Sequence, residues 1–295
     1  MVYADYTASG RALRDTERFV TTEVLPWYAN THTTTSVTSL QTTRYRHEAR
    51  DIVRNATNAS EHDAVIFVGA GVTGAIHKLV HALQVAKLRS SDLGPVVVFI
   101  SPFEHHSNIL PWREAGATIV RIAESSDGLV DIGDLRAKLK SAAAKGSSML
   151  IGAFSAASNV TGILVDTDAV SACLHEHGAL AVWDYATAGP YCPIDMNSKS
   201  TPGAYKDAVV VSPHKFVGGV AAQGVLVAKK ALFRDEVPEG AGGGSVFYVT
   251  RDGHRYLQDI ETREEGGTPD IVGSVRAGQY INLLSRSNRK SAREH

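Results

Sequence analysis

The segment Val209-Val-Val-Ser-Pro-His-Lys-Phe-Val-Gly-Gly219 puts a lysine where it can do chemistry. Three β-branched apolar residues, Val209 to Val211, read as a short strand buried on both faces. Pro213 cannot donate to a strand ladder, so the chain leaves the sheet at Ser212-Pro213. His214 and Lys215 follow at the strand tip, beside apolar Phe216 and Val217. A lysine held there can be partly desolvated, which favours the neutral, nucleophilic amine. Such an amine forms an imine with a carbonyl substrate or with pyridoxal phosphate. The same stretch also suits an ordinary surface lysine after a strand, and the rest of the chain has to decide.

The elements that must position Lys215 follow from hydrophobic periodicity. Strands are expected over residues 64–68, 95–100, 117–122, 148–152, 180–183, 209–211 and 223–228. Helices are expected over 11–27, 43–58, 73–86, 108–115, 135–144 and 166–177, with Arg46 and Arg50 on the exposed side of the second. A further helix starts at Ile271 and gives way to a polar end from Ser285 to His295. Alternation of this kind predicts an α/β fold in three layers, a mostly parallel sheet with helices on both faces. Only Ser212 to Ala221 separates 209–211 from the next strand, without a helical pattern. That is short for a parallel crossover, so these two strands are expected to be antiparallel neighbours.

Ligands of open α/β sheets sit at the carboxyl ends of the strands, so the residues after each strand carry the interest. Gly69-Ala-Gly-Val-Thr-Gly74 matches the dinucleotide pattern G-x-G-x-x-G. A nicotinamide site needs an acidic residue at the end of the next strand, but that strand ends Phe99-Ile100-Ser101-Pro102 and Asp92 precedes it. A phosphate cradle needs only converging backbone N–H groups, the Thr73 hydroxyl and a helix N-terminus. Glu104-His-His follows the second strand, either as polar surface or as an imidazole able to stack on a flat ring. Ser155 to Gly162 is a small-residue loop with one amide, Asn159. Asp184 ends the buried strand Leu180 to Trp183, a costly place for a carboxylate unless it faces a cation or several donors. A protonated pyridine nitrogen is such a partner. The hydroxyl-rich stretch 28–39 reads either as a solvated loop or as an active-site wall.

Composition narrows the classes. With 295 residues, 43% of them hydrophobic, and a net charge of −1, the chain can bury a large core. Near-zero charge argues against nucleic acid or an acidic membrane surface as partner. Cys173 and Cys192 give neither a disulfide framework nor metal spacing, which suits a reducing, cytoplasmic setting. No apolar run is long enough to span a bilayer, and the N-terminus lacks the pattern of a secretion signal.

With Thr73, His105, Asn159, Asp184, His214 and Lys215 in this order, the sequence resembles the class V aminotransferases, the branch of pyridoxal-phosphate enzymes that includes cysteine desulfurases. The resemblance runs from Tyr3 to Gly278. It implies a fold-type-I large domain over 1–262 and the start of a C-terminal domain over 263–295. It also implies pyridoxal phosphate as cofactor, an amino acid as substrate and a homodimer with shared sites. Carried over by position, Lys215 would hold the cofactor as an imine, Asp184 would pair with its ring nitrogen and His105 would stack on the ring. Gly71, Val72, Thr73, Ser212 and His214 would surround the phosphate, and Asn159 would contact the ring hydroxyl. Thr268, in Glu265-Gly-Gly-Thr-Pro269, would meet the partner's phosphate.

Departures qualify the resemblance. Thr187 stands where many relatives carry glutamine, and Val72 replaces a hydroxyl residue in the phosphate loop. In the family, a small C-terminal domain supplies the arginine that grips the substrate carboxylate and, in desulfurases, the nucleophilic cysteine. Neither Cys173 nor Cys192 matches that cysteine, and the polar end after Ser285 resembles a truncated terminus. Arg11, Arg44 and Arg263 are the candidates to replace the missing grip. Transamination, desulfuration and selenocysteine cleavage share the steps these motifs support. The alternatives are a chain that binds the cofactor but is catalytically impaired and, from the glycine loop, a nicotinamide oxidoreductase.

Overall fold

Val96–Ile100 is five apolar residues buried without exception, and it fixes the architecture, because a strand so apolar needs a covering layer on each face. The structure, a computed structural model, describes residues 2–89 and 93–291. Asp92, the side chains of 284–291 and the end from 292 lie outside the described residues. In chain order the elements are α1 (Arg14–Phe19), α2 (Val37–Ala56), β1 (Asp63–Val68), α3 (Gly71–Ala82), α4 (Val85–Arg89) and β2 (Val96–Ile100). They continue as α5 (Leu110–Glu114), β3 (Thr118–Arg121), α6 (Ile132–Ala144), β4 (Met149–Ser155), α7 (Thr167–His175), β5 (Leu180–Asp184) and β6 (Ala208–Val211). The last are β7 (Gly224–Lys229), β8 (Val246–Val249), β9 (His254–Tyr256), α8 (Ile260–Arg263) and α9 (Ile271–Ser291).

The main sheet has seven strands in the order β1-β7-β6-β5-β4-β2-β3. It is parallel throughout except for β7, which runs antiparallel to both β1 and β6. Successive residues of a strand face opposite layers. Trp183 accordingly joins Phe99, Phe154, Leu135 and Tyr280 on one face, while its neighbour Val182 joins Val98, Ile66, Ile76 and Trp112 on the other. The three-layer α/β expectation and the antiparallel placement of β7 both hold.

Several expectations need correction. The helix expected over 11–27 is α only over Arg14–Phe19 and then changes winding, to a π turn over Val20–Val24 and a 3-10 turn over Leu25–Trp27. The helix expected from residue 43 begins at Val37, because Ser36 Oγ accepts the Ser39 N–H at 3.1 Å and caps it. Helix 73–86 is broken at Gln84, whose φ of 55° interrupts the winding between α3 and α4. Helix α9 continues past Ser285 to Ser291. The hairpin β8–β9 was not expected at all.

Arg46 and Arg50 are the clearest reversal, for they do not face solvent. Arg46 is buried and both guanidiniums bind the Glu265 carboxylate, Arg50 at 2.9 Å. Arg54, one turn further along α2, binds Glu261. The carboxylates in turn accept from edge strand β1, the Val65 N–H going to Glu261 at 2.7 Å and the Phe67 N–H to Glu265 at 2.6 Å. Charged stems lie flat against apolar surface while their heads pair, which periodicity alone does not reveal.

Candidate active site

A cavity of 640 Å³ opens where the carboxyl ends of β4, β5 and β6 lie side by side. Register places Ser155 opposite Asp184 and Asp184 opposite Val210, so the last residues of these strands share one rim. Lys215 enters this cavity from the loop joining β6 to β7, on a single 3-10 turn, Pro213–Lys215. Its amine forms no ion pair or hydrogen bond among the described residues. Of the residues singled out in the sequence, Val72, Thr73, His105, Asn159, Asp184, Thr187, Ser212, His214 and Lys215 all line the same cavity.

One end of the cavity suits an anion. Helix α3 starts at Gly71, whose φ of 56° lets the chain turn into the helix beside Ser212. A Cβ at Gly71 would meet Ser212 Oγ at 2.9 Å, so the cradle has room there for backbone only. The Val72 N–H donates to Ser212 Oγ at 3.0 Å, a stand-in for the oxygen an anion would offer. Thr73 donates to Ser107 Oγ at 2.8 Å from the same turn. The glycine loop is not a nicotinamide site. Its strand β1 lies at the sheet edge beside antiparallel β7, and β2 pairs only with β3 and β4.

The Asp184 wall suits a cation. Asp184 is 5% exposed, and among the described residues its carboxylate accepts one hydrogen bond, from the Ala186 N–H at 2.7 Å. Burial raises its carboxyl to about 7, opposed by the Ala186 N–H, with the negative Glu104 raising it further and the Lys215 ammonium lowering it. A buried carboxylate this poorly compensated favours a positively charged partner. His105, which also lines the cavity, accepts the Ser107 N–H on Nδ1 at 3.2 Å. Partial desolvation, the Lys215 ammonium and His106 hold its imidazole below the ordinary histidine range. A neutral ring stacks on a flat ligand without adding charge. Burial, then Lys215, likewise lowers His214.

Because the folded-state value of Asp184 is raised, its contribution to stability is fully present below about pH 4 and is lost as pH climbs through about 7. In the cofactor-free protein, Asp184→Asn should remove that loss. Urea unfolding at several pH values should show the variant gaining on wild type between pH 4 and 7, with a slope of about one proton. A constant difference would show that Asp184 ionises normally.

Other expectations fare differently. Gly71 shapes the cradle without lining the cavity, and Thr268 does not line it either. The segment around Thr268 borders two other clefts, through Glu265, Gly266 and Pro269. The hydroxyl-rich stretch 28–39 is not a wall of the Lys215 cavity. Its Thr31 and His32 line a separate cleft of 120 Å³, where His32 Nε2 pairs with the Gly267 carbonyl at 3.0 Å. No arginine lines the Lys215 cavity among the described residues. Arg11 lies over the Tyr3 ring, Arg44 is exposed, and Arg263 is buried against Glu264 and the Asp235 carbonyl.

Sequence reasoning missed the N-terminal strap. Asp5, Thr7 and Ala8 line the cavity because Ser9 Oγ and the Gly10 N–H both donate to the His214 carbonyl, at 3.1 and 2.7 Å. A Cβ on Gly10 would meet the Phe216 carbonyl oxygen at 1.9 Å, so the strap lies this close only with glycine. The available signal was Gly10 itself, a lone glycine in a polar stretch.

The arrangement as a whole offers an anion cradle, an amine, a neutral stacking ring and a buried carboxylate in one cavity. A flat ring with a phosphate at one end, a basic nitrogen at the other and a carbonyl between them matches that donor set.

Comparison with known proteins agrees on the fold. The family model described as Aminotransferase class-V matches residues 2–295. A probable cysteine desulfurase of Halalkalibacterium halodurans is 30% identical over 240 residues, 80% of this chain and 55% of that protein. One from Staphylococcus aureus is 28% identical over 252 residues, 84% of this chain and 56% of that protein. The chain thus spans just over half the length of these curated relatives. A solved cysteine desulfurase of Thermococcus onnurineus superposes with a TM-score of 0.76 at 24% identity, covering 97% of this chain and 67% of that one. One from Escherichia coli gives 0.73 at 23% identity, covering 96% and 67%.

Proposed function

We propose that this chain, which belongs to the class-V aminotransferase family, is a pyridoxal-phosphate enzyme that holds its cofactor through Lys215 and acts on an amino acid. The observation that carries the reading is the sharing of one cavity by the unpaired Lys215 amine, the buried Asp184 and the N-terminus of α3. When bound, the cofactor supplies an electrophilic carbon for the substrate amine and a ring that takes up the electron pair left at Cα.

The residues divide the remaining work. The backbone N–H groups at the start of α3, with Thr73, Ser212 and His214, bind the phosphate and fix the position of the ring. Asp184 keeps a proton on the ring nitrogen, because pairing with that cation satisfies a carboxylate that burial otherwise penalises. His105 covers one face of the ring and limits water there. Asn159 and Thr187, which line the cavity, would hydrogen-bond the ring oxygen. Lys215 Nζ, as a free amine, would take the substrate's Cα proton as general base. Transamination and cysteine desulfuration both begin with these steps.

The test is a visible spectrum of the purified protein with pyridoxal phosphate, before and after adding cysteine or alanine. Borohydride reduction and peptide mapping follow. The expected result is an absorbing adduct on Lys215 that responds to an amino acid. An adduct on another lysine, or tight nicotinamide binding, overturns the proposal. That no arginine among the described residues lines the cavity favours a second reading, in which cofactor binds but the substrate carboxylate is weakly gripped. In that case the adduct forms and amino acids barely change it.

The shared-site homodimer also belongs to this proposal. It is supported by the segment 265–269, which stands apart from the cavity of its own chain, and by the apolar hairpin residues Phe247 and Val249, 71% and 67% exposed. Sedimentation at micromolar concentration should show a dimer. A monomer with full cofactor affinity contradicts shared sites.

A further inference from the structure

Glu104 does nothing in the chemistry above, yet its carboxylate is crowded with donors. It accepts from Ser101 Oγ at 2.5 Å, Asn108 Nδ2 at 2.7 Å, Ser155 Oγ at 2.7 Å and the Ser155 N–H at 2.9 Å. An ionised carboxylate has about four lone-pair positions, and these donors take them all. They come from three places: the end of β2, the turn beginning at His105 and the last residue of β4. Glu104 therefore ties two walls of the cavity together. On one side is the turn that carries His105, and on the other is Ser155, which faces Asp184 across the β4–β5 ladder. The Ala156 N–H extends the tie by donating to the Asp184 carbonyl at 2.9 Å.

The other polar ties of the His105 turn do not reach β4. The Asn108 N–H returns to the His105 carbonyl at 2.9 Å, the Ser107 N–H bonds His105 Nδ1, and Ser107 Oγ accepts from Thr73 on the phosphate side. We propose that Glu104 is a positioning residue that fixes the His105 wall relative to the Asp184 wall, so that one flat ring meets both. The inference rests on the cofactor reading given under the proposed function. Charge adds a second handle. Glu104, itself pushed up by burial against its four donors, adds negative potential to burial in raising Asp184.

The substitutions are Glu104→Gln and Glu104→Asp. Glutamine keeps the length but turns one oxygen into an NH₂ group that confronts the Asn108 amide or the Ser155 hydroxyl. Aspartate keeps the charge and loses the reach. The first readout is cofactor-free: carbon-13 titration of the Asp184 carboxyl, assigned with Asp184→Asn. Its midpoint should fall by about one pH unit in E104Q and much less in E104D. The second is visible circular dichroism of bound pyridoxal phosphate, which reports how the ring is held and should weaken in both variants. A residue that served stability alone would lower the unfolding midpoint and leave both readouts unchanged; that result overturns the proposal. If E104Q does not fold, Ser155→Ala removes one tie and should move both readouts the same way by less, and no movement counts against the proposal equally. A wild-type protein with no cofactor band would refute the cofactor reading, while the carbon-13 arm would still report whether Glu104 controls Asp184.

Discussion

On the proposed function, replacing Lys215 with alanine is expected to abolish the borohydride-reducible adduct and to lower any turnover of an amino acid by about 10²–10⁴-fold from lost proton transfer alone. The cavity should survive, because the 3-10 turn around Lys215 is held by backbone bonds, the Lys215 N–H to the Ser212 carbonyl and the Phe216 N–H to the Pro213 carbonyl. The α3 cradle and Asp184 remain, so pyridoxal phosphate should still bind, without the covalent link. Two further measurements separate this role from general damage. Unfolding stability should stay close to wild type, since the Lys215 amine has no partner to lose among the described residues. A small primary amine added to the assay should restore part of the lost rate, because it can supply the missing base. A Lys215→Ala protein that turns over at the wild-type rate would move the chemistry to another lysine.

The second large effect concerns stability. Glu265→Ala is expected to cost about 3–5 kcal/mol in urea unfolding, because removing one partner of a buried ion pair leaves its charge uncompensated. Here two guanidiniums, Arg46 and Arg50, lose their shared carboxylate, and the Phe67 N–H of the edge strand loses its acceptor. Glu265→Gln retains an acceptor for Phe67 and should fall between alanine and wild type. Arg44→Ala, on the exposed side of α2, is the control and should shift stability by less than about 0.5 kcal/mol. Equal stability of Glu265→Ala and wild type would mean that solvent reaches these arginines freely.

The two effects differ in how visible they are in the amino-acid sequence. The strand ending at Val211 was legible from three β-branched residues and a proline, and with it the position of Lys215 at a sheet rim. The antiparallel β7 was legible from the shortness of its connection. Asp184 stood out because a carboxylate ending an apolar strand has to be compensated. The ion pairs of Arg46 and Arg50 were not legible, since Glu265 lies 219 and 215 residues away in the chain and a charged residue at helical spacing looks the same whether solvent or a distant carboxylate faces it. Glu104 was legible only as the neighbour of two histidines, because its four donors become adjacent only when β2 and β4 pair. Gln84, with its positive φ, shows the local limit: nothing in its side chain announces the break between α3 and α4.

The N-terminal strap has a consequence for the order of assembly. Ser9 meets the His214 carbonyl across 205 residues of intervening chain. Closing so long a loop adds little entropy cost beyond a shorter one, yet contacts of this range form slowly. During synthesis residues 5–10 emerge before the carbonyl they bind, which follows only after β1 to β6 have been made. The strap must therefore wait until those strands have been made, and the cavity wall built from Asp5, Thr7 and Ala8 is completed only after them. A ligand that needs this wall acts on a sheet whose strands β1 to β6 are already made: it can trap that fold and resist its reopening, but it cannot nucleate the sheet.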